Sequence, residues 1–275
     1  MAIYCAICSF TKVTFLLGYE NMKICSIASG SSGNSTYIET NESKILIDAG
    51  ISAKRIIGNL SNVGVNVNEI DAIFVSHEHI DHIRGVKVLE KKYGISVFMN
   101  KKTHNASKLE LKNINYFNNE NSIMYQDLVI SPMTISHDAV DPCSFSIISG
   151  GEKVSVLTDF GVENSAIKKA INTSDALVIE TNHDVKMLKN GRYPYYLKQR
   201  ILSDKGHLSN EAAGSLVRDN SSERLKRVFL AHLSKNNNSE DLAMETFTGK
   251  ISENSSLDID SVMTMHNMNT DIYKV

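Results

Sequence analysis

Tryptophan is absent from this 275-residue chain, and proline occurs only three times. Neither low count excludes anything by itself. Cysteine is more telling. Cys5, Cys8, Cys25 and Cys143 are too few and too scattered for a disulfide framework. Cys5 and Cys8 form a C-x-x-C, but no second pair stands at a zinc-ribbon spacing. No apolar stretch reaches the ~18 residues that span a bilayer, so no membrane partner is expected. Charge of one sign is also lacking: 29 Lys and Arg stand against 31 Asp and Glu, a net charge of −2. A protein-wide basic field is thereby excluded, and any polyanion must be held by a local patch. No repeat of fixed period and no Gly/Ser/Pro linker divides the chain.

What is present is a hydrophobic content of 42%, ample for a packed core. Short apolar or alternating runs read as strands at Ile24–Ala28, Thr36–Glu39, Lys44–Asp48, Ile70–Ser76, Ile95–Met99, Leu128–Ser131, Ser144–Ile148, Val154–Thr158, Ala176–Glu180, Arg227–His232 and Leu257–Met263. Helices are expected at Ala53–Leu60, Gly85–Lys92, Thr103–Lys108 and Ser165–Ile171. Two more are expected at Glu211–Val217, capped by Asn210, and at Ser239–Phe247, capped by Ser239. Strands and helices mix throughout, so residues 22–275 are read as one α/β domain. Residues 1–21 read as an extension outside the fold, from translation starting upstream of Met22 or as an added element packed on the domain. They lack the basic start, uninterrupted apolar core and small-residue cleavage site of a secretory signal, so the chain is expected to be cytoplasmic.

Residues 77–82, His-Glu-His-Ile-Asp-His, directly follow the apolar run Ile70–Ser76. On an extended backbone His77 and His79 point to one side, while the adjacent Asp81 and His82 diverge. One pair can hold one cation and the other a second close by. Imidazole and carboxylate donors suit zinc, iron or manganese. Three later segments offer further ligands behind apolar or β-prone runs: His137 after Ile135-Ser136, Asp159 after Val156-Leu157-Thr158, and His232 after Val228–Ala231.

H-x-H-x-D-H after a strand, followed in order by a His, an Asp and a His, resembles the metallo-β-lactamase superfamily over most of the chain, from about Met22 to Asp241. Finer stretches are similar to the YycJ (WalJ) family of bacterial nucleases within it: Ser29–Ser35, Ser136–Pro142, Glu180–Asp184, Gly206–Asn210 and Leu230–Ser234. The resemblance implies a four-layer αββα sandwich, exonuclease activity and a nucleic-acid partner, DNA above all. It also implies two divalent ions, Zn or Mn. His77, His79 and His137 would hold the first, Asp81, His82 and His232 the second, and Asp159 would bridge them. A hydroxide shared by the two ions would attack phosphorus. The 73 positions from Asp159 to His232 leave no room for the large inserted domain of RNA-processing relatives. His79 stands where di-iron relatives usually carry Glu, which favours hydrolysis over redox chemistry.

Other features keep two readings each. His183 and His207 are either proton donors to a leaving oxygen, completing a catalytic group with Asp81 and Asp159, or hydrogen-bonded structural residues. In the loop Ser29–Thr36, the residues Ser31, Ser32 and Asn34 either bind substrate through an anion nest or form an ordinary hairpin turn. Lys186, Arg192, Lys198 and Arg200, interleaved with Tyr193, Tyr195 and Tyr196, make either a nucleic-acid patch or a solvated loop over the site. The leading expectation is a two-metal phosphodiesterase acting on DNA. The alternative is a small-molecule hydrolase of a thioester, lactone or β-lactam, which the same ligands would serve.

Overall fold

Runs such as Ile45-Leu46-Ile47 and Val228–Ala231 are apolar without alternation, as strands covered on both faces must be. The computed structural model of the chain describes residues 22–254, 256–266 and 268–275. The extension 1–21, with Cys5 and Cys8, lies outside the described residues. Strands β1 (Lys23–Ala28), β2 (Ser35–Glu39) and β3 (Lys44–Ile47) run antiparallel. Then β4 (Ala72–Phe74), β5 (Ser96–Asn100) and β6 (Ile114–Phe117) add in parallel.

A second sheet repeats the scheme. The strands β7 (Ile123–Tyr125), β8 (Leu128–Thr134), β9 (Cys143–Ser149) and β10 (Glu152–Leu157) are antiparallel. They are followed in parallel by β11 (Ala176–Glu180), β12 (Arg227–Ala231) and β13 (Asp260–Met263). The last strand, β14 (Tyr273–Lys274), returns to β1. Among the described residues this makes two seven-stranded sheets.

Helices α1 (Ala53–Asn62), α2 (Ile80–Ile83), α3 (Val86–Tyr93) and α4 (Lys101–Ser107) lie between strands of the first sheet. Between strands of the second come α5 (Ser165–Thr173), α6 (Val185–Asn190), α7 (Tyr195–Ile201), α8 (Asn210–Asn220) and α9 (Glu240–Ser252). The apolar residues sort into three layers. Leu46, Ile73 and Val97 pack with Ile56, Leu60 and Leu89 of α1 and α3. Ile45, Phe74, Phe145 and Phe229 fill the space between the sheets. Leu177, Val228 and Leu230 pack with Ile167, Val217 and Phe247 of α5, α8 and α9. Successive residues of one strand thus enter different layers, as the two-residue period requires. The result is the αββα sandwich that the resemblance implied.

Several local features differ from the sequence expectations. The strand expected over 70–76 narrows to β4, because Ser76 and Asp71 turn their polar groups to neighbouring segments. Ser209, not Asn210, caps α8: its Oγ accepts from Ala212 N at 3.2 Å, while Asn210 is buried against Asn238. The basic stretch 186–205 is not an open loop but holds α6, capped by Asp184, and α7. Strands β6, β7 and β14 leave no clear mark in the sequence because they are short, partly exposed edge elements with weak patterns.

The parallel strands deliver their carboxyl ends to one edge, where ligands gather in open α/β sheets. There the Ser/Gly loop before β2 packs tightly on the ligand loop. Asn34 N donates to Asp81 O at 2.8 Å, and Gly50 N to Asn34 O at 2.8 Å. A Cβ on Gly50 would lie 1.6 Å from Asp81 O, whereas one on Gly58, inside α1, would meet nothing within 4 Å. Gly50→Ala should therefore displace the Asp81 backbone and cost about 1–3 kcal/mol. Gly58→Ala should stabilise by about 0.5–1 kcal/mol. Thermal unfolding of both variants checks this; equal effects would contradict the packing.

Candidate metal centre

His77 follows β4, and His79, Asp81 and His82 sit on or beside the single turn α2. His137 lies in the β8–β9 connection, Asp159 follows β10 and His232 follows β12. These seven residues, far apart in the chain, meet at one place. His77 Nε2 is 3.1 Å from His79 Nδ1, and His137 Nε2 is 3.3 Å from the same atom. His82 Nε2 and His232 Nδ1 each lie 3.1 Å from Asp159 Oδ2. Asp159 Oδ1 faces the other way, 3.9 Å from His137 Nε2. Asp81 Oδ2 stands 3.6 Å from His82 Nε2 and 3.8 Å from His232 Nε2.

Ligands ~2.0–2.2 Å from a tetrahedral cation stand about 3.3–3.6 Å from each other. The observed separations bracket that spacing, and the donor set is nitrogen and oxygen throughout. The residues therefore fit divalent metal ions. Three sets each bring their ligand atoms within 4.8 Å of one another: His77 with His79 and His137, His77 with His82 and Asp159, and Asp159 with Glu180, His207 and His232.

Protonation bears on ligation. Burial, aided by the neighbouring His82, holds His77 well below the usual imidazole range, so it stays neutral. Burial also lowers His137. For Asp159 burial works toward protonation, but His232 and His82 outweigh it and keep the carboxylate ionised. Burial opposes a charge on His82 too, yet Asp159, Asp48 and Asp81 outweigh it and raise this imidazole well above its usual range. A cation binding there must displace the Nε2 proton.

Asp48 carries no motif of its own, although it ends the run read as Lys44–Asp48, and the sequence reading did not single it out. Its Oδ1 accepts from Ser76 N at 2.8 Å. Its Oδ2 takes the Ser76 hydroxyl at 2.8 Å and His82 Nδ1–H at 2.7 Å. A carboxylate only accepts, so His82 must carry a proton on Nδ1, which reserves Nε2 for a cation beside Asp159. The Ser76 hydroxyl, which donates its hydrogen bond to Asp48, accepts from His77 Nδ1–H at 2.9 Å and fixes that ring in the same way. One buried carboxylate thus orients two imidazoles. The available signal was an acid at the carboxyl end of a buried strand.

Comparison with known proteins places these residues in a family. The family model of the metallo-beta-lactamase superfamily matches residues 28–158. The protein named exodeoxyribonuclease WalJ of Streptococcus pneumoniae is 38% identical over 234 residues, covering 82% of this chain and 87% of that protein. Exodeoxyribonuclease YycJ of Bacillus anthracis is 39% identical over 222 residues, covering 79% and 84%. The chain belongs to the WalJ/YycJ family of the metallo-β-lactamase superfamily. In fold it is similar to the crystal structure of YhfI from Bacillus subtilis, with a TM-score of 0.72 at 17% identity over 91% of this chain and 99% of that one.

The family's metal edge opens here into a cleft of about 210 Å³, lined by His79, Asp81, His137, Asp159 and His232 and by Ser31, Asp138, Asn182, Tyr193, Arg200, Lys205 and His207 among others. Glu180, fully buried at the end of β11, opens the family-like stretch Glu180–Asp184, but the sequence assigned it no role. Its Oε1 accepts from Phe160 N and Leu208 N, and its Oε2 from His207 Nδ1–H at 3.0 Å. Both oxygens are engaged, and the second holds the His207 ring in place. Burial works against a charge on His207, but the Glu180 carboxylate outweighs it and raises the imidazole to about 9.

Not every residue expected at the site faces the cleft. His183 is buried, neither ring nitrogen has a partner, and burial pulls it down to about 4. Its carbonyl takes Asn210 N at 3.0 Å, a structural connection to α8. Asn34 turns inward: its Oδ1 accepts from Gly30 N at 2.9 Å and its amide lies 3.2 Å from His82 Nε2. The Ser32 hydroxyl is buried as well. Of the three loop residues, Ser31 alone lines the cleft. Arg200 also lines it, with its Nε donating to Asp138 Oδ2. Lys198 donates to Lys189 O at 2.7 Å. Lys186 and Arg192 are exposed outside the cleft.

Removal of a carboxylate that orients a ligand typically costs 10–100-fold in metal affinity. Asp48→Ala should lose at least about tenfold in affinity for Zn or Mn, measured by calorimetric titration of the metal-free chain. Unchanged affinity would show that the Asp48 contacts do not govern the imidazoles.

Proposed function

We propose that the chain is a two-metal exodeoxyribonuclease. The observation that carries the reading is the convergence of seven nitrogen and carboxylate ligands, five of which line a cleft walled by Arg200, Lys205 and His207 while His77 and His82 lie buried behind them. A metal site beside cations suits a phosphodiester. DNA as substrate and attack from an end are supported by the names of the relatives from Streptococcus pneumoniae and Bacillus anthracis. His77, His79 and His137 would hold one ion and Asp81, His82 and His232 the other, with Asp159 between. Zinc or manganese suits these donors. When bound, such ions supply a nucleophilic water at neutral pH and charge stabilisation on the phosphoryl oxygens.

The chain's own residues do the rest. Arg200 and Lys205 hold non-bridging oxygens and so orient the scissile group. His207 gives its Nε2 proton to the leaving oxygen, because its Nδ1 proton is committed to Glu180. His183, neutral and removed from the cleft, takes no part in proton transfer. The same ligands would serve attack on a thioester, lactone or β-lactam carbonyl, but cations in the wall suit the anionic non-bridging oxygens of a phosphodiester better than a neutral carbonyl group.

End-labelled duplex DNA, single-stranded DNA and RNA, each incubated with Zn or Mn, test the reading. Progressive release of nucleotides from DNA ends, abolished by chelation, is expected. No cleavage of any polynucleotide alongside hydrolysis of a thioester or lactone would overturn it. Lys186→Glu and Arg192→Glu should each weaken DNA binding and reduce its salt slope by roughly 0.9 for every phosphate no longer neutralised. An unchanged slope would remove those residues from the interface.

A further inference from the structure

We infer that Asp138 is a positioning residue: its carboxylate fixes the plane of the Arg200 guanidinium beside the metal ligands, so that Arg200 meets the scissile phosphate already oriented. This rests on the phosphodiesterase reading above. Both residues line the cleft. Arg200 Nε donates to Asp138 Oδ2, and Asp138 Oδ1 stands 3.4 Å from His137 Nε2. One carboxylate therefore lies between a metal ligand and the cation that would hold a non-bridging oxygen. Its presence needs a reason, because an anion in the wall repels a polyanionic substrate.

Asp138 sits on a fixed loop. His137, immediately before it, belongs to the ligand cluster. Two residues beyond, Val140 N donates to Glu78 Oε1 at 2.8 Å, and Glu78 stands between the ligands His77 and His79. Asn100 Nδ2 then donates to Asp141 O at 2.7 Å. The backbone at Arg200 is fixed as well. Its carbonyl accepts from Ser203 N at 3.2 Å, and Ile201 O accepts from His207 N at 3.0 Å. A Cβ on Gly206 would lie 2.1 Å from Ile201 O, and one on Gly161, just beyond Asp159 and Phe160, 2.1 Å from Ser203 O. The turn 201–207 is thus pressed against the end of α7 and against the Asp159 loop. What the backbone does not fix is the Arg200 side chain, which is 56% exposed.

Arginine carries five N–H donors in a rigid planar fork. Asp138 takes the Nε–H, which leaves the Nη1 and Nη2 donors for phosphoryl oxygens. An untethered side chain loses its rotamer freedom only when substrate binds, whereas a tethered one has lost it beforehand. Stability does not account for the pair, since exposed ion pairs contribute little to folding. A purely repulsive carboxylate makes the opposite prediction: its removal would strengthen the hold on a polyanion. Positioning and repulsion therefore differ in sign.

The test compares Asp138→Ala, Asp138→Asn, Arg200→Ala and the double variant Asp138→Ala with Arg200→Ala, each in the full, metal-loaded chain. Steady-state kinetics are measured on end-labelled DNA and on bis(p-nitrophenyl) phosphate, and metal content is determined for each protein. Asp138→Ala should lower kcat at least about tenfold on both substrates, with KM changed by less than about threefold. Asp138→Asn keeps an oxygen for Arg200 Nε and should recover most of that loss. The double variant should be no slower than Arg200→Ala, because Asp138 acts only through Arg200. Metal content should match that of the unmodified chain. Additive losses in the double variant would overturn the inference, as would Asn and Ala variants that are equally slow. Loss of metal from Asp138→Ala would overturn it by making Asp138 a ligand. Tighter DNA binding by Asp138→Ala at unchanged kcat would overturn it by leaving repulsion alone. If the unmodified chain hydrolyses the small diester but not DNA, the DNA reading falls and the inference is still decided on the diester. If it hydrolyses neither, both fall together.

Discussion

The structure depends on holding seven electron-pair donors together in a space largely cut off from water. Imidazole nitrogens and carboxylate oxygens 3.1–3.9 Å apart do not attract one another through apolar contact. Their positions must be imposed by the backbone. Asp48, Asp159 and His232 adopt φ values of 61°, 63° and 55°, in the left-handed region. For a residue with a Cβ that conformation costs on the order of 1–2 kcal/mol. All three stand just past the carboxyl end of a strand, where the chain must turn sharply to aim a side chain inward. Strain concentrated at such points is a signature of sites built for ligands.

The sandwich supplies the rigidity that this strain requires. The segments bearing His77, Asp159 and His232 leave strands whose side chains are packed on both faces toward their carboxyl ends, so those strand ends cannot drift. Cross-links between loops complete the frame. Cys143 N donates to Ser76 O, Gly161 N to Ser136 O and His232 N to Ser29 Oγ. Asn182, buried among these loops, gives its side-chain amide to His232 O at 2.9 Å. The Ser/Gly loop belongs to this frame more than to the substrate surface: its backbone grips Asp81 and Gly50, and Asn34 faces inward. Asp48 and Glu180 then act as a matched pair of buried acids. One aims two imidazoles at the ligand cluster. The other keeps a third protonated beside it.

How much of this was legible in the sequence depended on whether the signal was local. The six residues 77–82 and the apolar runs ahead of His137, Asp159 and His232 could be read because strand and ligand are neighbours in the chain. Asp48 and Glu180 were not legible as functional residues. An acid at a strand end looks the same whether it faces solvent or a buried histidine, and its partner lies dozens of positions away. The inward turn of Asn34 was hidden because composition identifies a Gly/Ser loop but not the direction of its side chains. Helices α6 and α7 were hidden for another reason: at six and seven residues, rich in Lys and Tyr, they carry too little apolar periodicity to stand out. Edge strands escaped for the same want of pattern.

The central claim is that one carboxylate joins two groups of ligands into a two-ion site. Metal content after equilibrium dialysis against Zn or Mn tests it directly, with circular dichroism establishing that each protein is folded. The account predicts two equivalents in the unmodified chain and one or fewer in Asp159→Ala. One equivalent in the unmodified chain, or two retained by Asp159→Ala, would contradict it.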